Sequence, residues 1–381
     1  LTCSTKPILR RTCAALLVAT IAFSTVTEAK TFFVNDLGDQ PDKFPGDGVA
    51  ETLPGNGVAT LRAAIEEANA FPGDDVIEVM DGLIEVTSLL PPLNDPTGGT
   101  RITGTWRTHP VEGPFPYQTF ERVPGAIISG DKLNLTIEGN EDAAGIQVRS
   151  ANNVIEGIAI FEFPGNGISI LGETATNNVV RRCFIGLENR QPQGNGGHGV
   201  YIADGASSNR VGGFVDSDRN IIGANRGNGV YIFGDGTTEN QVVGNFIGVD
   251  LMRLPPCVLE ALRGEGTLDS GCLKELGAEV DTRTSYPNAE HNICVGGGAQ
   301  ENIIGGESDS INYIAGSIWT NSKVYEYPAY GTVDPYILPS SGGGQNAVTL
   351  EGEGTERNVV SGAWIGFRPN WAVAGSGGEY T

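Results

Sequence analysis

The chain is short of positive charge: 24 Lys and Arg stand against 46 Asp and Glu in 381 residues, a formal net charge of −22 at pH 7. Such a surface repels nucleic acid and anionic membranes, so neither is expected as a partner. Cysteine is scarce at 6 residues, with no CxxC and no close Cys/His grouping, which argues against a zinc site. Long apolar runs are missing apart from Ala14–Val26, and that run is too short to span a membrane. No two carboxylates can be placed across a cleft from their spacing, so a glycosidase cannot be argued from carboxylate pairs.

The one apolar run follows Lys6, Arg10 and Arg11 and ends in "TEA" at Ala29, the pattern of a secretory signal with a small-residue cleavage site. That segment predicts a secreted, extracellular or cell-surface protein; without residues 1–29 the chain loses three basic residues and Glu28 and carries −24, a charge that keeps such a protein soluble. Cys3 and Cys13 leave with that segment. Cys257 and Cys272 flank a 14-residue loop, and their pairing in an oxidising compartment would add about 3 kcal/mol of loop-entropy stabilisation. Cys183 and Cys294 fall in repeat columns and read as free thiols.

What the chain has in abundance is repetition. Asn166–Gly186 ("NGISILGETATNNVVRRCFIG") matches Asn228–Gly248 ("NGVYIFGDGTTENQVVGNFIG") at an offset of 62, and Asn346–Gly366 matches again at a further 118. A shorter-turn variant at His198–Gly213 recurs at His291–Gly306. Each unit of about 31 residues holds three short apolar segments separated by Gly, Asn, Asp and Thr turns. A β-propeller would need repeats of roughly 40 to 50 residues with four strands, so these units predict coils instead. Alternation puts Val230 and Ile232 inward and Tyr231 outward. One coil cannot bury its own apolar face, so coils stack into an all-β, parallel β-helix.

Asn178, Asn209, Asn240, Asn302 and Asn358 open successive coils and are expected to form a hydrogen-bonded ladder. His198 and His291 fall in the column of Asn166, Asn228 and Asn346, which reads as imidazole replacing an amide in a stacked turn. The amino-terminal region departs from the repeat. A strand at Thr31–Asn35 and a short amphipathic helix at 60–70, with Thr60 as N-cap, predict a cap over residues 30–75, ahead of the β-helix proper at 76–381. A solenoid end must be covered, because an open end exposes core and unpaired strand edges. The segment after "GAWIG" has no helix pattern, so further coils, another domain or a sorting signal are expected beyond Thr381.

On these residues the chain resembles bacterial secreted right-handed parallel β-helix proteins of the pectin-lyase-like superfamily. "ATLRAAIEEANA" at Ala59–Ala70 is similar to an amino-terminal module whose core usually reads CSLREAI; Ala59 replaces its Cys and Ala63 its Glu, so the disulfide of that module is absent here. The resemblance implies fold and export. It does not imply one activity, since lyases, hydrolases, epimerases, adhesins and proteins without chemistry share the superfamily.

Candidate sites are few. "GHG" at Gly197–Gly199 is similar to one polygalacturonase motif, which makes His198 a catalytic candidate, but the accompanying motifs of that family have no counterparts. Asp216, Asp218 and Arg219 supply the groups a calcium-dependent lyase needs to hold a cation and remove a proton, and read equally as a solvated turn. No other cofactor is indicated. Two insertions, 251–290 and 317–345, interrupt the repeat in the same turn and are expected to emerge side by side over one face. The second carries Trp319, Tyr325, Tyr327, Tyr330 and Tyr336, rings suited to stacking on sugars or to packing a small core of their own. Arg253 and Lys323 are placed to meet an acidic polysaccharide or cell-surface glycan. Two functions stand side by side: a non-catalytic carbohydrate-binding or surface-structural module, and a polysaccharide lyase or hydrolase. An enzyme should show charged residues from at least three neighbouring coils converging beside the insertions.

Overall fold

The structure, a computed structural model, describes residues 29–110, 120–133, 143–189, 191–248, 288–306, 311–314, 317–320, 346–361 and 363–365. Three long parallel sheets form the stack, and from Ile146 to Ile314 successive strands visit them in the cycle A, B, C, with only sheets A and B formed in the coils before. Sheet A has nine strands, from Thr31–Val34 through Val179–Arg181, Arg210–Gly212, Gln241–Val243 and Ile303–Ile304 to Val359–Val360. Sheet B has eight, from Gly82–Glu85 to Ala363–Ile365, and sheet C seven, beginning at Ile146–Val148. Crossovers between parallel strands are right-handed, and the molecule is a right-handed parallel β-helix.

The alternation read from sequence orders the core. Val230, Ile232, Val242 and Ile247 of one coil point inward and join Val200, Ile202, Val211 and Ile222 of the coil before in a single apolar cluster. Register partners repeat from coil to coil, as in Val200, Val230 and Ile293 on sheet C, and shift only at the outermost sheet C pair among the described residues, between Ser317 and Ile318. The corners need backbone that turns sharply. Gly199 and Gly229 precede the sheet C strands, and a Cβ on either would lie 2.5 Å from a carbonyl oxygen of the next coil. Only glycine permits that approach.

The asparagine column is a hydrogen-bonded ladder. Nδ2 of Asn153, Asn178, Asn209, Asn240 and Asn302 donates to Oδ1 of the next coil's Asn at 2.9, 2.9, 3.0, 3.0 and 3.0 Å. Each Oδ1 also accepts the neighbouring backbone N–H, which satisfies a buried donor at the turn. Two further ladders are present: Asn220–Asn245–Asn312 before sheet B, which Cys183 heads, and Asn195–Asn225–Asn288 before sheet C. Both described cysteines, Cys183 and Cys294, are buried free thiols.

At the first coil the helix Leu61–Ala70 lays Leu61, Ala64, Ile65 and Ala68 on Phe32, Val34, Ile77 and Ile84. Thr60 Oγ1 caps it by accepting the Ala63 N–H at 3.1 Å. Arg62, buried with the helix, pairs with Asp39 at 2.9 Å and donates to the carbonyls of Ser88 and Leu89, which ties the helix to the first coil. Among the described residues no helix is long and apolar enough to cross a membrane.

Residues 249–287 separate a sheet B strand from a sheet C strand, and the segment after Ile314 runs between the same two sheets. The second interruption differs from the sequence expectation at its start. Ser317–Thr320 are not loop but the outermost strand of sheet C, outside Asn346–Glu351. Ile318 and Trp319 favour extended backbone, and the free edge of Asn346–Glu351 supplies the pairing. Residues 1–28 of the segment read as a secretory signal, Arg253, Cys257, Cys272, Lys323, Tyr325, Tyr327, Tyr330 and most of both insertions lie outside the described residues.

Candidate functional site

The outward faces of the three sheets differ. Sheet B's outward column is exposed at Leu83 on its first strand and buried from Ile127 through Ala159, Phe184, Ile221 and Phe246 to Tyr313. Part of its cover is a hairpin, Trp106–Pro110 with Phe120–Pro124, whose Trp106 ring meets Phe184 edge-on at 5.8 Å. Sheet C carries a stack of rings, His198, Tyr201, Tyr231 and Phe233, with neighbouring centroids 4.8–5.6 Å apart. Tyr201 in that stack is itself buried. Sheet A is the open face, its outward columns half-buried or exposed over most of their length.

Two columns flank the ladder asparagines at the edge of sheet A, and each forms a rail along the stack. The first is the residue before the ladder: Asn177, Ser208, Glu239, Glu301 and Arg357. All five hold left-handed backbone, with φ of 57°, 59°, 58°, 58° and 57°. That conformation costs a non-glycine residue roughly 1 kcal/mol, and Ser, Glu and Arg lack asparagine's local compensation. Glycine would relieve the strain; these positions carry polar side chains instead. The second rail is the residue after the ladder: Val179, Arg210, Gln241 and Ile303, register partners on successive sheet A strands. Between the rails lies a shallow groove of about 550 Å³, lined by Asn177, Ser208, Glu239 and Glu301 on one side and Val179, Arg210, Gln241 and Ile303 on the other.

The polar groups of the groove are unevenly committed. Glu239 accepts the Ser208 hydroxyl at 3.0 Å, and Glu301 pairs with Arg357 at 2.7 Å. Arg210 has a buried Nε without an acceptor, its guanidinium 4.9 Å from the centroid of the exposed Phe214 ring. The Gln241 side chain likewise holds no hydrogen bond among the described residues.

On the same face, one column over and overlapping the first two coils of the groove, four charged residues meet. Glu156 Oε1 accepts from Arg101 at 2.9 Å and Oε2 from Arg181 at 2.8 Å, while Arg181 also reaches Asp218 at 3.6 Å. Burial alone would push the Glu156 carboxyl up, but Arg181 and Arg101 outweigh it and hold it below the usual carboxylate range. The group is a locked carboxylate, unsuited to take up a proton near neutrality.

The candidates read from sequence are scattered by the fold. His198 lies at the sheet C corner in the ladder column: its N–H donates to Asn166 Oδ1 at 2.7 Å and its Nδ1 accepts the Asn228 N–H at 2.8 Å. Burial lowers its pKa to about 4, so the ring is neutral and its Nδ1 engaged. Asp216, Asp218 and Arg219 sit in one turn, Asp216–Asp218 being a single 3₁₀ turn, but the Asp218 side chain parts from the Asp216–Arg219 pair. Asp218 faces the Glu156 network, whereas Arg219 is buried against Phe246 and Tyr313, bonded to Asp216 at 2.6 Å and to the Ile311 carbonyl at 2.7 Å. Among the described residues no three His, Cys, Asp or Glu groups are grouped to hold a metal ion. Trp319 contributes its backbone to the outermost sheet C strand.

The groove escaped sequence reading, although its signal was printed in it. The ladder motif runs "NNV", "SNR", "ENQ", "ENI", and the residues flanking each ladder asparagine are the two rails.

No family model matches the chain, and no curated protein matches it. Three solved structures are similar to the chain at low identity and low TM-score. A tailspike protein gp49 from Acinetobacter baumannii bacteriophage Fri1, a capsular polysaccharide depolymerase, is 10% identical at a TM-score of 0.38 over 89% of this chain and 50% of its own. Pectate lyase Pel9A is 10% identical at 0.35 over 88% of this chain and 78% of its own. The A-module of Azotobacter vinelandii mannuronan C-5 epimerase AlgE6 is 12% identical at 0.23 over 88% of this chain and 100% of its own. The chain thus spans about half the length of the tailspike, and at such scores the likenesses establish neither substrate nor chemistry.

Proposed function

We propose that the protein is an extracellular β-helix that binds carbohydrate on sheet A without transforming it. The observation that carries this reading is the groove between two polar rails, with Arg210 and Gln241 uncommitted and the exposed Phe214 ring beside it. Hydroxyl-rich ligands are held by planar polar side chains and an apolar ring face in such shallow clefts. The titratable groups nearest to a catalytic role are shifted away from it: Glu156 is held ionised by two arginines, and His198 is held neutral in a ladder. Export follows from the signal-like segment at 1–29.

A polysaccharide lyase or hydrolase is the second reading, and one observation favours it. Arg101, Glu156, Arg181 and Asp218 come from successive coils and converge. They do so on sheet A, rather than at the corner between sheets B and C where the insertions depart. The test is a panel of neutral and acidic polysaccharides with and without calcium, following retention on insoluble glycan, new reducing ends and the ultraviolet absorbance of unsaturated uronides. Retention without cleavage is the expected result. Cleavage abolished by Glu156→Gln would establish the enzyme instead.

A further inference from the structure

The geometry of the rails points to a narrower ligand: we infer that the sheet A groove takes a linear, uncharged glycan running parallel to the stack axis, about one sugar per coil. This rests on the carbohydrate-binding reading above. Both rails advance by one side chain per coil, and coils stack at about 4.8 Å, so hydrogen-bonding groups recur along the groove at about that spacing. A pyranose in an extended chain advances by a comparable distance. Four coils contribute to the groove, through Asn177, Ser208, Glu239 and Glu301 on one rail and Val179, Arg210, Gln241 and Ile303 on the other.

The chemistry along the rails separates sugar classes. The second rail reads apolar, donor, amide, apolar: Val179 and the exposed Ile303 suit the C–H faces of sugar rings, while between them the Gln241 amide and the terminal nitrogens of the Arg210 guanidinium, not its buried Nε, line the groove without a hydrogen bond among the described residues. The first rail answers with acceptors, since Glu239 and Glu301 each keep carboxylate lone pairs beyond the bonds they make. An acidic glycan meets the wrong field. Two carboxylates line the groove, Glu239 without a cation partner and Glu301 paired with Arg357, against the single arginine of its lining, and the chain as a whole carries −22. Arg210 is therefore assigned to donate to sugar hydroxyls beside the Phe214 ring, as the residue that determines specificity at the central subsite.

The experiment titrates the full chain calorimetrically with β-1,4-linked gluco-, manno- and xylo-oligosaccharides of increasing length, and with oligogalacturonates of the same lengths. Affinity for a neutral series should rise with each added sugar and level off at about four, the number of coils lining the groove, with little dependence on salt. Arg210→Ala should weaken that binding about tenfold or more, the loss expected for a hydrogen bond to a charged donor. Gln241→Ala, a smaller change at the next coil, should weaken it less, and both variants should keep the parent thermal unfolding midpoint. Tighter, salt-sensitive binding of oligogalacturonate would overturn this inference and leave the carbohydrate-binding reading standing. Neutral binding that ignores both substitutions would place the glycan elsewhere and overturn the groove assignment. Binding of none of the series would overturn this inference, and retention on the polysaccharide panel would then decide the broader reading separately.

Discussion

Replacing Asn209 by alanine should cost more than any exposed substitution on the same turn, because its side chain serves four bonds inside a fully buried ladder. Oδ1 accepts both the backbone N–H and the Nδ2 of Asn178 at 2.9 Å, and Nδ2 donates to the Ala175 carbonyl at 2.9 Å and to Asn240 Oδ1 at 3.0 Å. Alanine would strand three buried groups: the Asn178 N–H, the Asn178 amide and the Ala175 carbonyl. Asn240 Oδ1 would still accept the backbone N–H of residue 209. A buried group left unsatisfied costs about 1–3 kcal/mol, so with partial relaxation the loss should come to about 3–5 kcal/mol. That is a large share of the roughly 5–15 kcal/mol that holds a domain folded. The loss should be confined to the contact between adjacent coils, since solenoid stability is a sum of repeat and nearest-neighbour contributions. The assay is urea unfolding followed by far-ultraviolet circular dichroism, with Ser208→Ala as the control. Ser208 precedes Asn209 on the same turn but gives only an exposed bond to Glu239, worth under about 1 kcal/mol. A loss at Asn209 below about 1 kcal/mol, or equal to that at Ser208, would refute the claim that the ladders hold the coils together.

Two further outcomes follow from the same columns. Cys183→Asn should stabilise the protein by about 1 kcal/mol in the same urea assay, because Cys183 Sγ lies 3.6 Å from the Ile155 carbonyl where Asn220 and Asn245 Nδ2 reach the corresponding carbonyls at 2.9 Å; a destabilised variant would show that the site cannot admit an amide. His198→Asn should make the unfolding midpoint less sensitive to acid. The folded imidazole titrates at about 4 against an ordinary 6.5, so the folded state binds fewer protons between those values and the parent loses stability as pH falls from 6.5 towards 4. The asparagine variant should not show that loss, and midpoints that run parallel for the two proteins across this window would count against the buried neutral ring.

Much of the architecture was legible before any coordinates. Offsets of 62 and 118, the alternation around Val230 and Ile232, and the column of Asn178, Asn209, Asn240, Asn302 and Asn358 are consequences of one unit repeated, and a repeated unit can be read by superposing the chain on itself. The Thr60 cap was legible because capping depends on residues only three positions apart. The additional ladders through Asn220 and Asn225 were harder to see, since their motifs lie in the variable corners between strands.

By itself, then, the sequence determined the coil, its inward face and its asparagine spine, because each rests on local periodicity. Only the tertiary structure decided which outward face stays open and what gathers on it. A hairpin folded over Phe184 helps close sheet B, a choice made between Trp106 and a residue 78 positions later. Glu239 and Glu301 share a groove although 62 residues separate them, because an interruption between coils leaves the stacking register unchanged. Asp218 and Arg219 are adjacent in sequence yet serve different sheets, since a tight turn sends neighbouring side chains to opposite sides of a corner. Coil stacking converts residues one repeat apart into neighbours about 4.8 Å apart, and the groove exists only at that level of organisation.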